Sequence, residues 1–151
     1  MAVEAILDKR VIDLDMDAET KDEVIRHLAG LLKEAGYVAD LTGYVRDVYQ
    51  REQEGITGIG GHVAIPHGKS DSVERVGIAV GRTKKMIDWE SYDGEPSCLF
   101  FLFAVPSDSE GAKKHLRLIA ELAGKLGNEE TMNRLQNART YEELTGAFSE
   151  K

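Results

Sequence analysis

The chain has 151 residues, of which 42% are hydrophobic and 30% charged, a balance that fits one globular domain over 1–151 and excludes a disordered chain. Nineteen basic residues against 27 acidic ones give a net charge of −8, which argues against nucleic acid as a partner, because binding a phosphate backbone draws on an excess of Lys and Arg. The single cysteine, Cys98, excludes an internal disulfide; no secretion-type start is visible, and the longest apolar run, about eight residues, is too short to span a membrane. These features read as a soluble, cytoplasmic protein with no membrane insertion.

Residues 5–14 read as one or two short extended pieces. A helix follows over roughly 19–35, capped by Asp17 or a neighbour, with Val24, Leu28, Leu31, Leu32 and Ala35 on one face and Gly36 as its stop. A second helix runs from about Asp40 to Gln53, striped by Leu41, Val45 and Val48 and ended by Gly55. Then come a glycine-rich loop, a short strand Val63–Ile65 and a short β-rich segment Val76–Val80. Leu99 to Val105 is apolar at every position, the pattern of a strand covered on both faces, and Cys98 beside it reads as a buried structural thiol. After Glu110-Gly111 a helix carries His115, Leu118, Ile119, Leu122 and Leu126 to Gly127; Asn128 caps a short helix through Leu135, and Thr140 with Glu143 forms a capping-box pattern for a last one. Strands alternating with helices give a layered α/β domain with a mixed sheet flanked by helices.

Chemistry concentrates in Arg51–Ser70, REQEGITGIGGHVAIPHGKS. His67 stands between a proline, which fixes the local backbone, and a glycine, which permits close approach of a ligand. An imidazole held at such a strand end suits a nucleophile or a ligand. Gly68-Lys69-Ser70 is not a nucleotide P-loop: Val63 occupies the place of that motif's first glycine, and no helix follows. Gly58, Gly60 and Gly61 form either an anion-binding nest of amides or a plain turn. His62 and His67 fall on opposite faces of an extended segment, so no metal is expected, and His62 reads as a solvent-facing loop residue. His115 reads as a core or boundary histidine, His27 as a surface one, and Arg51-Glu52 as a solvated helix end.

Arg51-Glu52, Thr57-Gly58-Ile59-Gly60 and Val63-Ala64-Ile65-Pro66-His67-Gly68, followed by Asp93-Gly94, FFLFAVP and His115-Leu116, closely resemble the fructose/mannitol-type enzyme IIA domain of the phosphoenolpyruvate-dependent sugar phosphotransferase system. The resemblance covers nearly the whole chain; His62 departs from the small residue more usual at its place. It implies a mixed, mostly parallel sheet flanked by helices. It also implies that His67 takes a phosphoryl group from the carrier protein HPr and passes it to a cysteine of a IIB domain, which feeds a membrane IIC permease. His115 matches the second active-site histidine and Arg51 the active-site arginine, with Gly58, Gly60 and Gly61 as candidate phosphoryl-binding amides. No cofactor is expected. Nitrogen-type relatives share the histidine motif in a regulatory role, which is the alternative reading.

Overall fold

The computed structural model describes residues 7–149, so Ala5 and Ile6 of the first extended piece lie outside the described residues, as does the side chain of Leu116. The strands are β1 (Leu7–Met16), β2 (Gly58–Gly60), β3 (Val63–Ala64), β4 (His67–Ser70), β5 (Gly77–Ile87) and β6 (Ser97–Pro106). The helices are α1 (Lys21–Glu34), α2 (Leu41–Glu54), α3 (Ser109–Leu126), α4 (Glu129–Asn137) and α5 (Tyr141–Ser149). The strands form one mixed sheet in the order β1-β5-β6-β3-β2, with β4 also on β6. The β1–β5, β3–β6 and β4–β6 pairings are parallel, while β2–β3 and β5–β6 are antiparallel.

The apolar run that predicted a doubly covered strand is β6, at the centre of the sheet. Its side chains alternate between two cores. Phe100, Leu102 and Ala104 join Val24, Ile25, Leu28, Tyr44 and Val48 of α1 and α2. Leu99, Phe101, Phe103 and Val105 join Leu118, Leu122, Leu135, Leu144 and Phe148 of α3, α4 and α5. Leu99 to Val105 are all fully buried. The result is three layers, helices over both faces of the sheet.

Local signals set most helix ends. Thr20, not Asp17, caps α1, its hydroxyl accepting from Glu23 N–H at 3.1 Å. Asn128 accepts from Thr131 N–H at 2.9 Å, and Thr140 from Glu143 N–H at 3.1 Å. Two strands exceed the sequence reading. β5 continues from Val80 to Ile87 because its polar second half is paired, Arg82 with Leu99 and Thr83 with Met16, and its lysines are matched by Asp15 and Glu19. Such pairing outweighs weak local propensity.

The polar segment His67–Ser70 is a strand for the same reason. Ala64 faces Phe100 and His67 faces Phe103, so β3 and β4 keep one register along β6 across the Ile65-Pro66 joint. Pro66 has no N–H to give, yet its carbonyl accepts from Phe103 N–H at 3.0 Å. Beyond that joint no named strand pairs the outer side of β4.

Candidate functional site

His67 opens β4 opposite Phe103, whose side chain belongs to the α3 side of the sheet, so the imidazole faces α3. Gly68 faces α2 and has to be glycine: a Cβ there would stand 2.7 Å from Val48 Cγ2 and 2.9 Å from Tyr44 Cε1. That close approach packs α2 against β4. Arg51, in the last turn of α2, reaches the imidazole and donates Nε–H to His67 Nε2 at 3.0 Å, while its Nη1 holds Gly55 O at 3.3 Å.

A guanidinium has donors only. The contact therefore assigns a lone pair to His67 Nε2 and the proton to Nδ1, which lies 3.4 Å from Ile65 O, at the long end of a hydrogen bond. Burial first, and the Arg51 charge second, hold the His67 pKa below its ordinary value, against a smaller opposing pull from Ile65 O and Glu54. The ring is half-buried and neutral near pH 7.

His115 comes from α3. Its ring centroid lies 4.6 Å from that of His67, tilted by 48°, and 5.6 Å from Phe103, edge-on. Burial, then repulsion from His67 in its protonated form and from Arg51 and Lys69, lower its pKa to about 4. Its Nε2 is buried and has no hydrogen-bond partner among the described residues. Leaving such a group unpaired costs about 1–3 kcal/mol. A cost of that kind is tolerated where a ligand atom later takes the open position.

The structure thus joins His67, Arg51 and His115, elements 16 and 48 positions apart in the chain. It adds Lys69, an exposed cation two residues past His67 on the same side of β4. The sequence reading treated Lys69 only as part of a failed P-loop; its i, i+2 spacing from His67 on a strand was the available signal.

The glycines are not brought to this cluster. Gly58 N–H is given to Glu90 O at 3.1 Å, and Gly61 N–H to the Asp93 carboxylate at 3.2 Å. Gly60 and Gly61 border a groove with Leu126 and Met132. Leu126 stands about 16 Å along α3 from His115 at 1.5 Å per residue. Gly58 and Gly60 are strand residues of β2 paired to β3, and Gly61 begins the turn between the two strands, with positive φ at Gly60 and Gly61.

Two further expectations change. His62 is half-buried rather than solvent-facing: it holds a left-handed backbone, φ 68°, and its Nδ1 meets Pro96 O at 2.9 Å. A small residue fits that backbone more easily, and the ring's bond to Pro96 offsets part of the strain. Cys98 is half-buried rather than buried, its thiol 3.5 Å from Gln136 Oε1 at a groove of about 960 Å³ with His62 and Met132. Burial raises its pKa, which keeps the thiol protonated. His27 is a surface residue bonded to Asp13. No group of three or more His, Cys, Asp or Glu side chains able to hold a metal occurs among the described residues.

A neutral strand-end imidazole with a directed lone pair, a second imidazole whose Nε2 is open, and two cations make a site chemically suited to a covalently held anion. The chain belongs to the family described as "Phosphoenolpyruvate-dependent sugar phosphotransferase system, EIIA 2", whose model matches residues 5–151. It is 35% identical over 145 residues to the PTS system fructose-specific EIIABC component of Bacillus subtilis, covering 95% of this chain and 22% of that protein, so the chain spans about a fifth of that relative's length. It is 29% identical over 148 residues to the PTS system fructose-specific EIIA component of Haloferax volcanii, covering 98% and 95% of the two chains. Among solved structures, the nitrogen regulatory protein IIA-Ntr of Neisseria meningitidis superposes with a TM-score of 0.87 at 29% identity, covering 97% of this chain and 98% of that one. Among the described residues no helix is long and apolar enough to cross a membrane.

Proposed function

We propose that this chain is a histidine phosphocarrier for sugar uptake. His67 Nε2 attacks the phosphorus of phospho-HPr; the donor's P–N bond breaks, and its electron pair returns to the donor imidazole. The new P–N bond forms at Nε2 while Nδ1 keeps its proton. In the second step a IIB cysteine thiolate attacks the same phosphorus, and the His67 lone pair departs onto a neutral ring.

The observation that carries this reading is the Arg51 Nε–H donated to His67 Nε2. It supports a free pair on Nε2 as the attacking atom and Arg51 as the cation for the incoming phosphoryl oxygens. Phosphoryl transfer depends on positioning and charge stabilisation. Arg51 gives up its bond to the ring and turns to the oxygens, Lys69 adds charge, and the open Nε2 of His115 supplies a hydrogen bond. Ile56, 39% exposed and next to the Gly55 carbonyl that holds Arg51, provides an apolar contact for an incoming protein.

Support for the partners comes from the Bacillus subtilis relative, named as an EIIABC component, in which the A part stands with B and C parts. Both fructose-specific relatives make fructose the first sugar to test. The test is incubation with phosphoenolpyruvate, enzyme I and HPr. One phosphoryl group should be gained, lost in His67→Ala and passed on to a fructose-type IIB domain. No mass gain under conditions that phosphorylate a control IIA domain would refute the reading.

The likeness to IIA-Ntr supports a second reading, in which the phosphorylation state of His67 governs binding to a regulatory partner. A phosphorylated protein that passes nothing to any IIB domain would favour it.

A further inference from the structure

One buried polar cluster has no part in the transfer steps above. Glu52 follows Arg51 on α2, and its side chain is only 6% exposed. Its carboxylate meets Lys21 Nζ, at the start of α1, at 2.7 Å. It also accepts from Thr57 Oγ1 at 2.8 and 3.1 Å. Thr57 Oγ1 in turn accepts from Trp89 Nε1–H at 2.9 Å, and the Lys21 ammonium lies 4.8 Å over the indole. Thr57 and Trp89 are each 3% exposed. The polarity is fixed: an indole only donates and a carboxylate only accepts, so the single Thr57 hydroxyl proton is given to Glu52.

Thr57 is also linked, through Ile65, to His67 Nδ1. Its carbonyl accepts from Ile65 N–H at 2.9 Å, and Ile65 O faces His67 Nδ1. Two residues earlier, Gly55 O holds the Arg51 guanidinium that donates to His67 Nε2. The loop Gly55–Thr57 is therefore connected to the imidazole by two routes, through Ile65 to Nδ1 and through Arg51 to Nε2.

We infer that Glu52 is a positioning residue for the phosphoryl acceptor: through Thr57 it clamps the loop Gly55–Thr57, and the clamped loop selects the Nδ1–H tautomer of His67. This deepens the phosphocarrier reading and rests on it. The tautomer of a histidine is set by the hydrogen bond its other nitrogen makes. If the loop shifts, Ile65 O and Gly55 O shift with it, and a proton that moves to Nε2 removes the attacking pair.

The test combines nitrogen-15 histidine spectra with transfer rates on the full chain. In Thr57→Val the Nδ1–H fraction of His67 should fall, and transfer per folded molecule should slow on the order of 10- to 100-fold, the scale of a misplacement near 1 Å. Thr57→Ser should restore both. Glu52→Gln keeps the side-chain shape and should lose both in the same direction, so it reads the clamp even if Thr57→Val does not fold. Folded variants that retain the parental tautomer and rate overturn the inference, because a merely structural role would alter melting alone. The nitrogen spectrum needs no phosphoryl donor. A parental protein that takes up no phosphoryl group therefore counts against the phosphocarrier reading, while the clamp is still decided by the tautomer.

Discussion

Arg51→Ala should separate the two tasks assigned to the guanidinium. In the resting protein Arg51 donates to His67 Nε2 at 3.0 Å and lowers the ring's pKa, second only to burial. Removing the cation leaves burial in place, so the His67 pKa should rise toward its ordinary value without passing it. Because the transferring form is the neutral ring, the acid limb of the pH–rate profile should move up with it. At pH 8, where the ring is neutral in both proteins, the remaining loss is transition-state stabilisation. A preorganised donor of this kind is worth about 3–4 kcal/mol, so transfer from phospho-HPr should slow about 100- to 1000-fold. Arg51→Lys should fall between, since one ammonium cannot match the fork that spans Gly55 O and His67 Nε2. The assay is rapid-quench transfer against pH, with the His67 pKa read by NMR in the same variants. An Arg51→Ala protein with an unmoved pKa and a rate within about twofold of the parent would refute the assigned role.

Other outcomes follow from the same geometry. The folded pKa of His115 lies below its unfolded value, so the folded state binds fewer protons, and the associated stability, present above about pH 6.5, is lost as pH falls toward about 4. Thermal melts of His115→Gln should be flatter across that window than those of the parent, and equal slopes would contradict the burial account. Gly68→Ala forces a methyl against Val48 and Tyr44 and should cost about 1–3 kcal/mol in urea unfolding. At position 62, Gly relieves the left-handed backbone but loses the Pro96 bond, so His62→Gly should be within about 1 kcal/mol of the parent. His62→Ala keeps the strain without the bond and should be less stable than His62→Gly by about 1 kcal/mol in the same assay.

The layers, and the strand-end position of His67, were legible in the sequence because both rest on local signals. The apolar run 99–105, the glycines after the first and third helices, and Thr140 with Glu143 each act on their own neighbourhood. What escaped depends on contacts between distant segments. His67–Ser70 has no apolar alternation and becomes a strand only because β6 pairs with it. The glycine trio precedes His67 closely in the chain, but proximity in sequence did not become proximity in space: β2 folds back on β3 and carries Gly60 and Gly61 toward Leu126 and Met132. Glu52 read as a solvated helix end because its buried partners, Thr57 and Trp89, are assembled by the loop and by the segment after β5. The resemblance supplied Arg51 and His115; neither has a local pattern that distinguishes it from an ordinary helix charge or a core histidine.

The unbroken register of Val63–Ser70 along β6 constrains how this edge can change. Residues alternate between the two faces of a sheet, so one residue added or removed between Ala64 and His67 would either turn the imidazole toward α2 or slide the whole strand past its partner. Neither arrangement faces His115. Side chains around Pro66 can be exchanged one for another, but the number of peptide units there cannot, and the meeting of the two imidazoles depends on a count of links in the backbone as much as on the groups attached to it.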